Sequence, residues 1–268
     1  MIPRITHQIW YQGWSELPDK YVGDAEKLAA MNENWEHMKW DEKSLRSECE
    51  KFSPEALAKF DGFTAMIQKV DFGRYVVLHN YGGVSLDCDT ECLRPFDKIP
   101  GIDKYDIIIC KNSLTKLENK VTTFGLSKEL VIINNASLCC AKEHPIMKDF
   151  IEFLIKNESW NEDVMIDTQL KTGPVILSVF FNKYLDDVLV LDSDIFEPYG
   201  NVNKRTILNH RYEQSWTGYG TLPVKVYKVV KNNLLIILSC IVILAIFFGV
   251  RGIARRYKEQ LILTTTIF

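Results

Sequence analysis

The chain lacks a basic excess and is only weakly acidic, because 32 lysine and arginine residues are set against 35 aspartate and glutamate residues, a formal net charge of −3. Without a basic excess there is no electrostatic case for nucleic-acid binding, and an anionic ligand must be held by a local site. The first residues contain no apolar run of the kind found in secretory signal peptides. Internal repeats and low-complexity segments are not visible either, so length and composition fit an enzyme domain of moderate size.

Cysteine provides neither a disulfide framework nor a zinc site. The seven cysteines are odd in number, and their spacing matches no disulfide pattern. Cys88 and Cys92 suggest thiolate ligands, but no Cys-x-x-Cys pair or suitably spaced histidine completes such a site. We therefore reject zinc.

The order of hydrophobic patterns predicts an α/β fold. The 268 residues are 47% hydrophobic, which is enough for one core. Strand-like runs at 5–10, 35–40, 84–87, 106–110, 131–134, 137–141 and 187–191 alternate with helical runs near 20–31, 42–60, 63–81, 145–157 and 173–185. This alternation predicts an α/β sandwich with a mainly parallel sheet, whose ligands lie at the carboxyl ends of the strands.

The stretch from 69 to 89 is the most informative. Apolar residues recur at helical spacing over 66–81, two glycines follow where a helix stops, and 84–86 suit a buried strand. That strand delivers Asp87 and Asp89 at its C-terminal end. Because side chains at i and i+2 of an extended chain face the same side, the two carboxylates can share one hard cation while Cys88 faces away.

A second Asp-x-Asp triplet, Asp192-Ser193-Asp194, is typical of a polar turn after a strand. An Asp-x-Asp triplet by itself is therefore only a weak indication of a metal site. The first triplet differs because the helix before it offers Asp71 and Arg74, which are neighbours at i and i+3. Elsewhere such a pair would be a surface ion pair worth roughly 0.2–0.5 kcal/mol. Here the helix leads directly into the carboxylates, so we interpret both residues as functional.

The block from Asp71 to Asp89, with Ile5-Thr6-His7-Gln8-Ile9-Trp10, resembles the sugar-binding Asp-x-Asp (DXD-motif) glycosyltransferases. These include the Och1-type and inositol-phosphoceramide mannosyltransferases of fungi and, more distantly, the clostridial glucosylating toxins. The resemblance implies a GT-A-like nucleotide-sugar-binding sandwich. It also implies that Asp87 and Asp89 hold Mn²⁺ or Mg²⁺ against the donor diphosphate, and that Asp71 and Arg74 grip the donor sugar.

The same resemblance suggests further binding residues, which are Trp10, Gly82, Gly83, Thr172, Gly173, His210 and Trp216. Trp10 would stack on the nucleotide base, although a core tryptophan is as common a role. Thr172-Gly173-Pro174 would border the donor pocket, or simply begin a helix with proline in its first turn. His210 and Trp216 would close the site, although a lone histidine is more often a surface or core residue.

The second strong signal is the uncharged run 234–250, flanked by lysines on one side and by Arg251, Arg255 and Arg256 on the other. Its length is close to the ~20 residues that span a bilayer, so it predicts one transmembrane helix. The expected organisation is a catalytic domain at 1–225, a juxtamembrane linker at 226–233, the membrane helix at 234–250 and a short basic tail at 251–268.

The flanking charges are too balanced to orient the chain, while the resemblance favours the Golgi or another endomembrane. The sequons Asn135-Ala136-Ser137 and Asn157-Glu158-Ser159 would report lumenal exposure if they were used.

These features predict a metal-dependent hexosyltransferase that is held at a membrane. The resemblance implies mannose from GDP-mannose with retention of configuration, or else a UDP-hexose, and a lipid or glycan acceptor. A non-catalytic membrane-anchored binding protein of the same fold is the main alternative. A phosphatase of the haloacid dehalogenase type also begins with a strand that ends in Asp-x-Asp, but it expects Thr or Val where this chain has Glu91.

Overall fold

A computed structural model describes residues 1–112, 130–158, 164–198 and 200–213. Residues Met1–Tyr212 form one compact unit. The strands are β1 (Ile5–Ile9), β2 (Glu36–Trp40), β3 (Gly83–Leu86), β4 (Thr90–Cys92), β5 (Ile107–Lys111), β6 (Ile133–Cys140), β7 (Leu189–Leu191) and β8 (Leu208–His210). The helices are α1 (Asp19–Met31), α2 (Glu42–Phe52), α3 (Pro54–Gly62), α4 (Met66–Tyr81), α5 (Pro145–Lys156), α6 (Val164–Lys171), α7 (Pro174–Phe181) and α8 (Ser193–Phe196).

Six strands form one mixed sheet in the order β2-β1-β3-β6-β5-β7, and β4 pairs with β8 in a second, two-stranded sheet. β6 is antiparallel to both of its neighbours, whereas the remaining pairs of the large sheet are parallel. The predicted α/β sandwich with a mostly parallel sheet is therefore confirmed. The sequence pattern did not predict that one central strand runs the other way.

Two predicted segments have different boundaries in the structure. The strands expected at 131–134 and 137–141 are one continuous strand, β6. The helix expected at 42–60 is two helices, because Ser53 adopts an extended conformation and caps α3 through its side chain, with Pro54 in the first turn. Proline fits that turn well since it has no N–H to leave unpaired.

Helix α4 lies in the middle of the protein, between the large sheet and helices α2, α5 and α6. Nine of its sixteen residues are buried, including the polar residues Gln68, Asp71 and Arg74. A helix that is covered on most sides does not need an amphipathic stripe. Its buried polar groups do need partners, since a buried polar group without a hydrogen bond costs on the order of 1–3 kcal/mol.

Gly82 and Gly83 connect α4 to β3 with φ values of 70° and 103°, a region that only glycine adopts freely. Space is restricted as well. A Cβ atom on Gly82 would lie 2.5 Å from the backbone nitrogen of Lys142, and one on Gly83 would lie 2.4 Å from the carbonyl oxygen of Ile5. Both glycines therefore allow the chain to turn tightly beside β1.

Within the described ranges, no helix is long and apolar enough to cross a bilayer. The predicted membrane helix at 234–250, its linker and its tail lie outside these ranges.

The imidazole of His7, on β1, is completely buried and has a partner at each ring nitrogen. Trp40 donates its indole N–H to Nδ1 at 3.1 Å, and Nε2 lies 2.6 Å from the carbonyl oxygen of Gly82. Because Nδ1 accepts the hydrogen bond from Trp40, it carries no hydrogen. The ring is therefore neutral, with its hydrogen on Nε2. Burial lowers the pKa of His7 to about 4, although the hydrogen bond to Gly82 opposes this change.

We expect His7 to make the fold sensitive to acid. In the unfolded chain the ring titrates near its ordinary value of about 6.5, so the unfolded state binds more protons between about pH 6.5 and pH 4. Stability from this residue is complete above pH 6.5 and falls by about 3 kcal/mol as the pH drops to 4. Urea unfolding at pH 7.5 and 4.5 measures this change.

Replacing His7 by Asn should lower stability at pH 7.5 but flatten its dependence on pH. His37→Asn, on the neighbouring strand β2, controls for the loss of a histidine in this region. An unchanged pH dependence in the His7 variant would contradict the assignment.

Candidate active site

The two carboxylates of the first triplet are brought together by a tight turn between β3 and β4. The backbone N–H of Asp87 donates to the carbonyl of Ala136 at 2.9 Å, and that of Thr90 donates back to the carbonyl of Asp87 at 3.2 Å. Strand β3 has already ended at Leu86. The prediction that strand alternation aligns the carboxylates is therefore wrong in its geometry, since a turn aligns them.

Cys88 points away from the pair, as expected. Its Sγ lies 3.3 Å from the carbonyl oxygen of Ile9, and the side chain is buried. Burial raises the pKa of this thiol to about 12, so it remains protonated and takes no part in ligation at neutral pH.

His210 joins the carboxylates because β8 pairs with β4, which places His210 opposite Thr90. Its Nε2 lies 3.3 Å from Oδ1 of Asp89 and 3.8 Å from Oδ2 of Asp87. One ligand atom from each of the three residues lies within 4.8 Å of the others. Two carboxylates and one imidazole are a suitable donor set for Mn²⁺, and the carboxylates also suit Mg²⁺.

Glu197 orients the histidine from behind. Its side chain is completely buried, and its Oε2 lies 3.1 Å from Nδ1 of His210. A carboxylate at one ring nitrogen directs the other nitrogen toward a cation, an arrangement common around metal-binding histidines. Burial alone would lower the pKa of His210, but Glu197 and Asp89 together hold it well above its ordinary value.

The buried guanidinium of Arg74 forms an ion pair with the partly exposed Asp87 and also donates to the carbonyl oxygen of Asn135. Asp71 and Arg74 are neighbours on α4, but the ion pair that Arg74 forms is with Asp87 and not with Asp71. Burial would lower the pKa of the guanidinium, but the charges of Asp87 and Asp71 raise it above its ordinary value, so Arg74 remains a cation beside the carboxylates.

Asp71 lies one turn earlier on α4 and has neutral partners. The side-chain amide of Asn135 donates to its Oδ1 at 2.9 Å, and the hydroxyl of Thr172 lies 3.3 Å from its Oδ2. Tyr75 extends this network by donating to the carbonyl of Thr172 at 2.7 Å. Burial raises the pKa of Asp71 to about 7, although Arg74 opposes the shift. Near neutral pH this carboxyl can therefore either donate or accept a hydrogen bond.

Of the other residues predicted to bind the donor, two lie close to Asp71. Gly173 is the N-cap residue of α7 and directly follows Thr172, so both lie beside the Asp71 network. Trp10 follows β1, is partly buried, and stacks at a tilt on Tyr21 with ring centroids 5.7 Å apart.

The other predicted binding residues, Gly82, Gly83 and Trp216, are not placed beside the carboxylates by the described structure. Gly82 and Gly83 lie at the start of β3, at the end opposite to the carboxylates. Trp216 lies outside the described residues. The donor-binding roles of all these residues stay predictions.

Sequence reasoning missed Asn135, Glu197 and Tyr75. Asn135 was noticed only as a sequon, yet its side-chain nitrogen is engaged by Asp71 and by the hydroxyl of Tyr75 at 3.3 Å. A glycan on that nitrogen would break both contacts. Glu197 follows the short helix α8 and carries no local sequence signal.

We expect substitutions in the first Asp-x-Asp triplet to weaken Mn²⁺ binding and substitutions in the second to leave it unchanged. Asp87→Asn and Asp89→Asn each remove a charged ligand and should weaken Mn²⁺ binding by at least about tenfold, with a similar loss for Glu197→Gln, which orients His210. Isothermal titration calorimetry with Mn²⁺ measures this directly.

Asp192→Asn, in the second triplet, is the matched control and should leave Mn²⁺ affinity unchanged. Equal weakening in Asp192→Asn, or none in the Asp87 and Asp89 variants, would contradict the metal site.

Comparison with known proteins shows which proteins the chain resembles. Residues 18–106 match the family described as "Glycosyltransferase sugar-binding region containing DXD motif". That range contains Asp71, Arg74, Asp87 and Asp89, whereas His210 and Thr172 lie beyond it.

Curated relatives cover more of the chain. Inositol phosphoceramide mannosyltransferase 3 of Schizosaccharomyces pombe is 26% identical over 183 residues, which are 68% of this chain and 46% of the relative. Inositol phosphoceramide mannosyltransferase 1 of the same organism is 26% identical over 81% of this chain and 63% of its own length. An uncharacterized glycosyltransferase of Acanthamoeba polyphaga mimivirus is 28% identical over 74% of both chains. The chain thus spans about half to two thirds of the length of the yeast relatives.

Among solved structures, the PaToxG glycosyltransferase superposes with a TM-score of 0.50 at 15% identity, covering 69% of this chain and 70% of that one. This likeness concerns the fold alone, which is a GT-A-like α/β glycosyltransferase fold. By these matches the chain is similar to the DXD-motif glycosyltransferases, and residues 18–106 are the part that matches their sugar-binding region.

Proposed function

We propose that the protein is a metal-dependent glycosyltransferase that moves a hexose from a nucleotide sugar to a lipid or glycan acceptor at a membrane. The observation that carries this proposal is the juxtaposition of Asp87, Asp89 and His210 with the buried cation of Arg74. In this arrangement a divalent cation bound by the three ligands would lie close to the guanidinium of Arg74.

The chemistry of transfer requires that combination. When the bond between the anomeric carbon and the diphosphate breaks, negative charge develops on the leaving phosphate. A divalent cation held by Asp87 and Asp89 would neutralise this charge. Arg74 contributes a second positive charge that is already fixed by burial and by Asn135, so it does not need to reorganise during the reaction.

Asp71 is suited to orient the donor sugar. It is buried beside Arg74, and its pKa near 7 allows it to donate to or accept from a sugar hydroxyl. Thr172 and Asn135 fix its two oxygens, so its remaining hydrogen-bonding capacity has a defined direction. Trp10 would stack on the base of the nucleotide, in line with the sequence prediction.

The donor we favour is GDP-mannose, transferred with retention of configuration, because the yeast relatives are named as inositol phosphoceramide mannosyltransferases. A UDP-hexose is the second candidate. The acceptor we favour is a lipid headgroup, which agrees with those names and with the apolar segment 234–250. An endomembrane such as the Golgi is the expected location.

Metal-dependent hydrolysis of a panel of nucleotide sugars tests this proposal. The full chain should release GDP or UDP from one preferred donor when Mn²⁺ or Mg²⁺ is present, and EDTA should abolish the release. Asp89→Asn should reduce turnover by about a hundredfold or more, while Asp194→Asn, in the second triplet, should retain it. A chain that ends at residue 225 should keep donor hydrolysis, since the predicted membrane segment lies beyond it.

Two outcomes would count against the proposal. Hydrolysis that is absent for every donor, in a protein that still binds Mn²⁺ and a nucleotide, would favour the non-catalytic binding protein. Equal activity in EDTA would remove the metal from the mechanism.

Arg74→Lys tests the role of the guanidinium. Arg74 contacts Asp87 and the carbonyl of Asn135 at the same time, and a compact ammonium cannot make both contacts with the same geometry. We expect turnover to fall by at least about tenfold at saturating donor and metal. Arg46→Lys is the matched control, because Arg46 also forms a two-point contact, with Asp61, but on the surface. Unchanged turnover in Arg74→Lys would assign Arg74 a purely structural role.

A further inference from the structure

The residue after His210 connects the two segments of the candidate metal site. Arg211 donates its backbone N–H to the carbonyl oxygen of Asp89 at 3.1 Å. His210 lies opposite Thr90 in the antiparallel pairing of β8 with β4, so this hydrogen bond continues the ladder by one residue pair. A single backbone contact therefore joins the segments that carry Asp89 and His210.

The ladder that contains this contact is short. β4 and β8 are each three residues long, and together they form a sheet of their own. A pair of strands with no further partner is marginally stable in water. The positions of Asp89 and His210 therefore depend on support from outside the ladder.

The side chain of Arg211 supplies such support through helix α1. Its two terminal nitrogens lie 2.5 and 2.7 Å from the two carboxylate oxygens of Asp24. Asp24 is only 8% exposed. A guanidinium that contacts both oxygens of a carboxylate is fixed in orientation as well as in distance. The two partners are 187 residues apart in the chain, so this contact ties the end of β8 to a distant helix.

Helix α1 is itself held firmly against the protein. Tyr21 and Leu28 are each 2% exposed, so the helix buries one face. Lys27, on the same helix, forms a second ion pair, with Glu91 of β4 at 2.7 Å. The side chains of Lys27 and Glu91 are 40% and 27% exposed, so solvent screens this pair more than it screens the contact of Asp24. Two ion pairs of different burial thus join α1 to the strands of the metal site.

We propose that Arg211 is a positioning residue of the cation site. Through its two-point contact with Asp24 it holds the backbone that carries Asp89 and His210, so that the carboxylate and the imidazole reach the same cation. This inference rests on the proposed function, because it takes Asp87, Asp89 and His210 as the cation ligands. Asp24 and Arg211 act through these ligands and are not ligands themselves.

Mn²⁺ binding to the full chain, measured by isothermal titration calorimetry, tests the inference. Asp24→Asn and Arg211→Gln should each weaken Mn²⁺ binding by about fivefold or more. Arg211→Lys keeps the charge but loses the two-point contact, so its affinity should lie between those of Arg211→Gln and the wild type. Because the two residues act as one unit, the double variant Asp24→Asn/Arg211→Gln should bind Mn²⁺ no more weakly than the weaker single variant.

The signs of the charge changes make this comparison sharp. Asp24→Asn removes a negative charge, whereas Arg211→Gln removes a positive one. A purely electrostatic effect on Mn²⁺ would therefore weaken binding in the first variant and tighten it in the second. Only an effect on the position of the ligands weakens binding in both.

Pulsed electron paramagnetic resonance of the bound Mn²⁺ reports on His210 directly, because a coordinated imidazole nitrogen modulates the electron spin echo. At saturating Mn²⁺ we expect this nitrogen signal in the wild type and a loss of its amplitude in Asp24→Asn and Arg211→Gln. His210→Gln provides the reference without an imidazole ligand.

Lys27→Gln is the matched control, since it removes the other ion pair between α1 and β4. It should bind Mn²⁺ within about twofold of the wild type and keep the nitrogen signal. Unchanged Mn²⁺ affinity and nitrogen signal in the Asp24 and Arg211 variants would overturn the proposal, even with a lower free energy of urea unfolding, since the contact would then be structural alone. Tighter Mn²⁺ binding by Arg211→Gln, or equal weakening in Lys27→Gln, would also overturn it.

Donor hydrolysis distinguishes this failure from a failure of the proposed function. If the wild type hydrolyses a donor but the Asp24 and Arg211 variants bind Mn²⁺ as it does, the positioning role alone is lost. If Mn²⁺ binding depends on both residues but no donor is hydrolysed, the transferase function is lost, while the positioning role of Arg211 stands.

Discussion

The ion pair between Arg74 and Asp87 is the contact on which the rest of the site depends. It joins α4, in the middle of the core, to the turn after β3, and the same guanidinium reaches the backbone of β6 at Asn135. Removing two charges from water is costly unless each is paired and hydrogen-bonded. Loss of Asp87 would leave the buried guanidinium of Arg74 without its ion-pair partner, so the pair holds helix, turn and strand in a single arrangement.

The buried position of α4 explains why each of its polar side chains has a specific hydrogen-bond or ion-pair partner. A buried helix cannot direct Gln68, Asp71 or Arg74 to solvent, so each takes a specific partner. Gln68 donates to Asp167 at 2.7 Å, Asp71 contacts Asn135 and Thr172, and Arg74 binds Asp87. These partners come from the turn and from segments near residues 135 and 167–172. The polar side chains of this one helix therefore contact segments that are distant from one another in the sequence.

Local features of the site were predictable from the sequence. Helical spacing, a glycine stop and a short apolar strand depend on neighbouring residues, so they indicated α4, Gly82 and the position of Asp87 and Asp89. Partners that lie far apart in the chain gave no comparable signal. The contact of Glu197 with His210 depends on the pairing of β8 with β4, which no local pattern specifies.

The reversed strand β6 illustrates the same limit. Its apolar run is compatible with either direction, because a buried strand looks alike from both ends. Its direction nevertheless decides that Asn135 meets Asp71 and Arg74. The turn at Asp87 was misjudged for a related reason, since the strand ends one residue before the acid and a backbone hydrogen bond between Thr90 and Asp87 closes the turn.

The pairing of β4 with β8 has a consequence for the order of assembly. Asp89 and His210 are separated by about 120 residues, and closing so long a loop is slow compared with forming α4 and pairing β3 with β1 and β6, which are nearer to it in the chain. A nascent chain can therefore form the carboxylate turn well before the histidine is synthesised. Only docking of the last described strand completes the set of three ligands. A partly folded chain would hold the two acids without the imidazole, so a three-ligand coordination signal distinguishes finished molecules from those in which β8 has not yet docked.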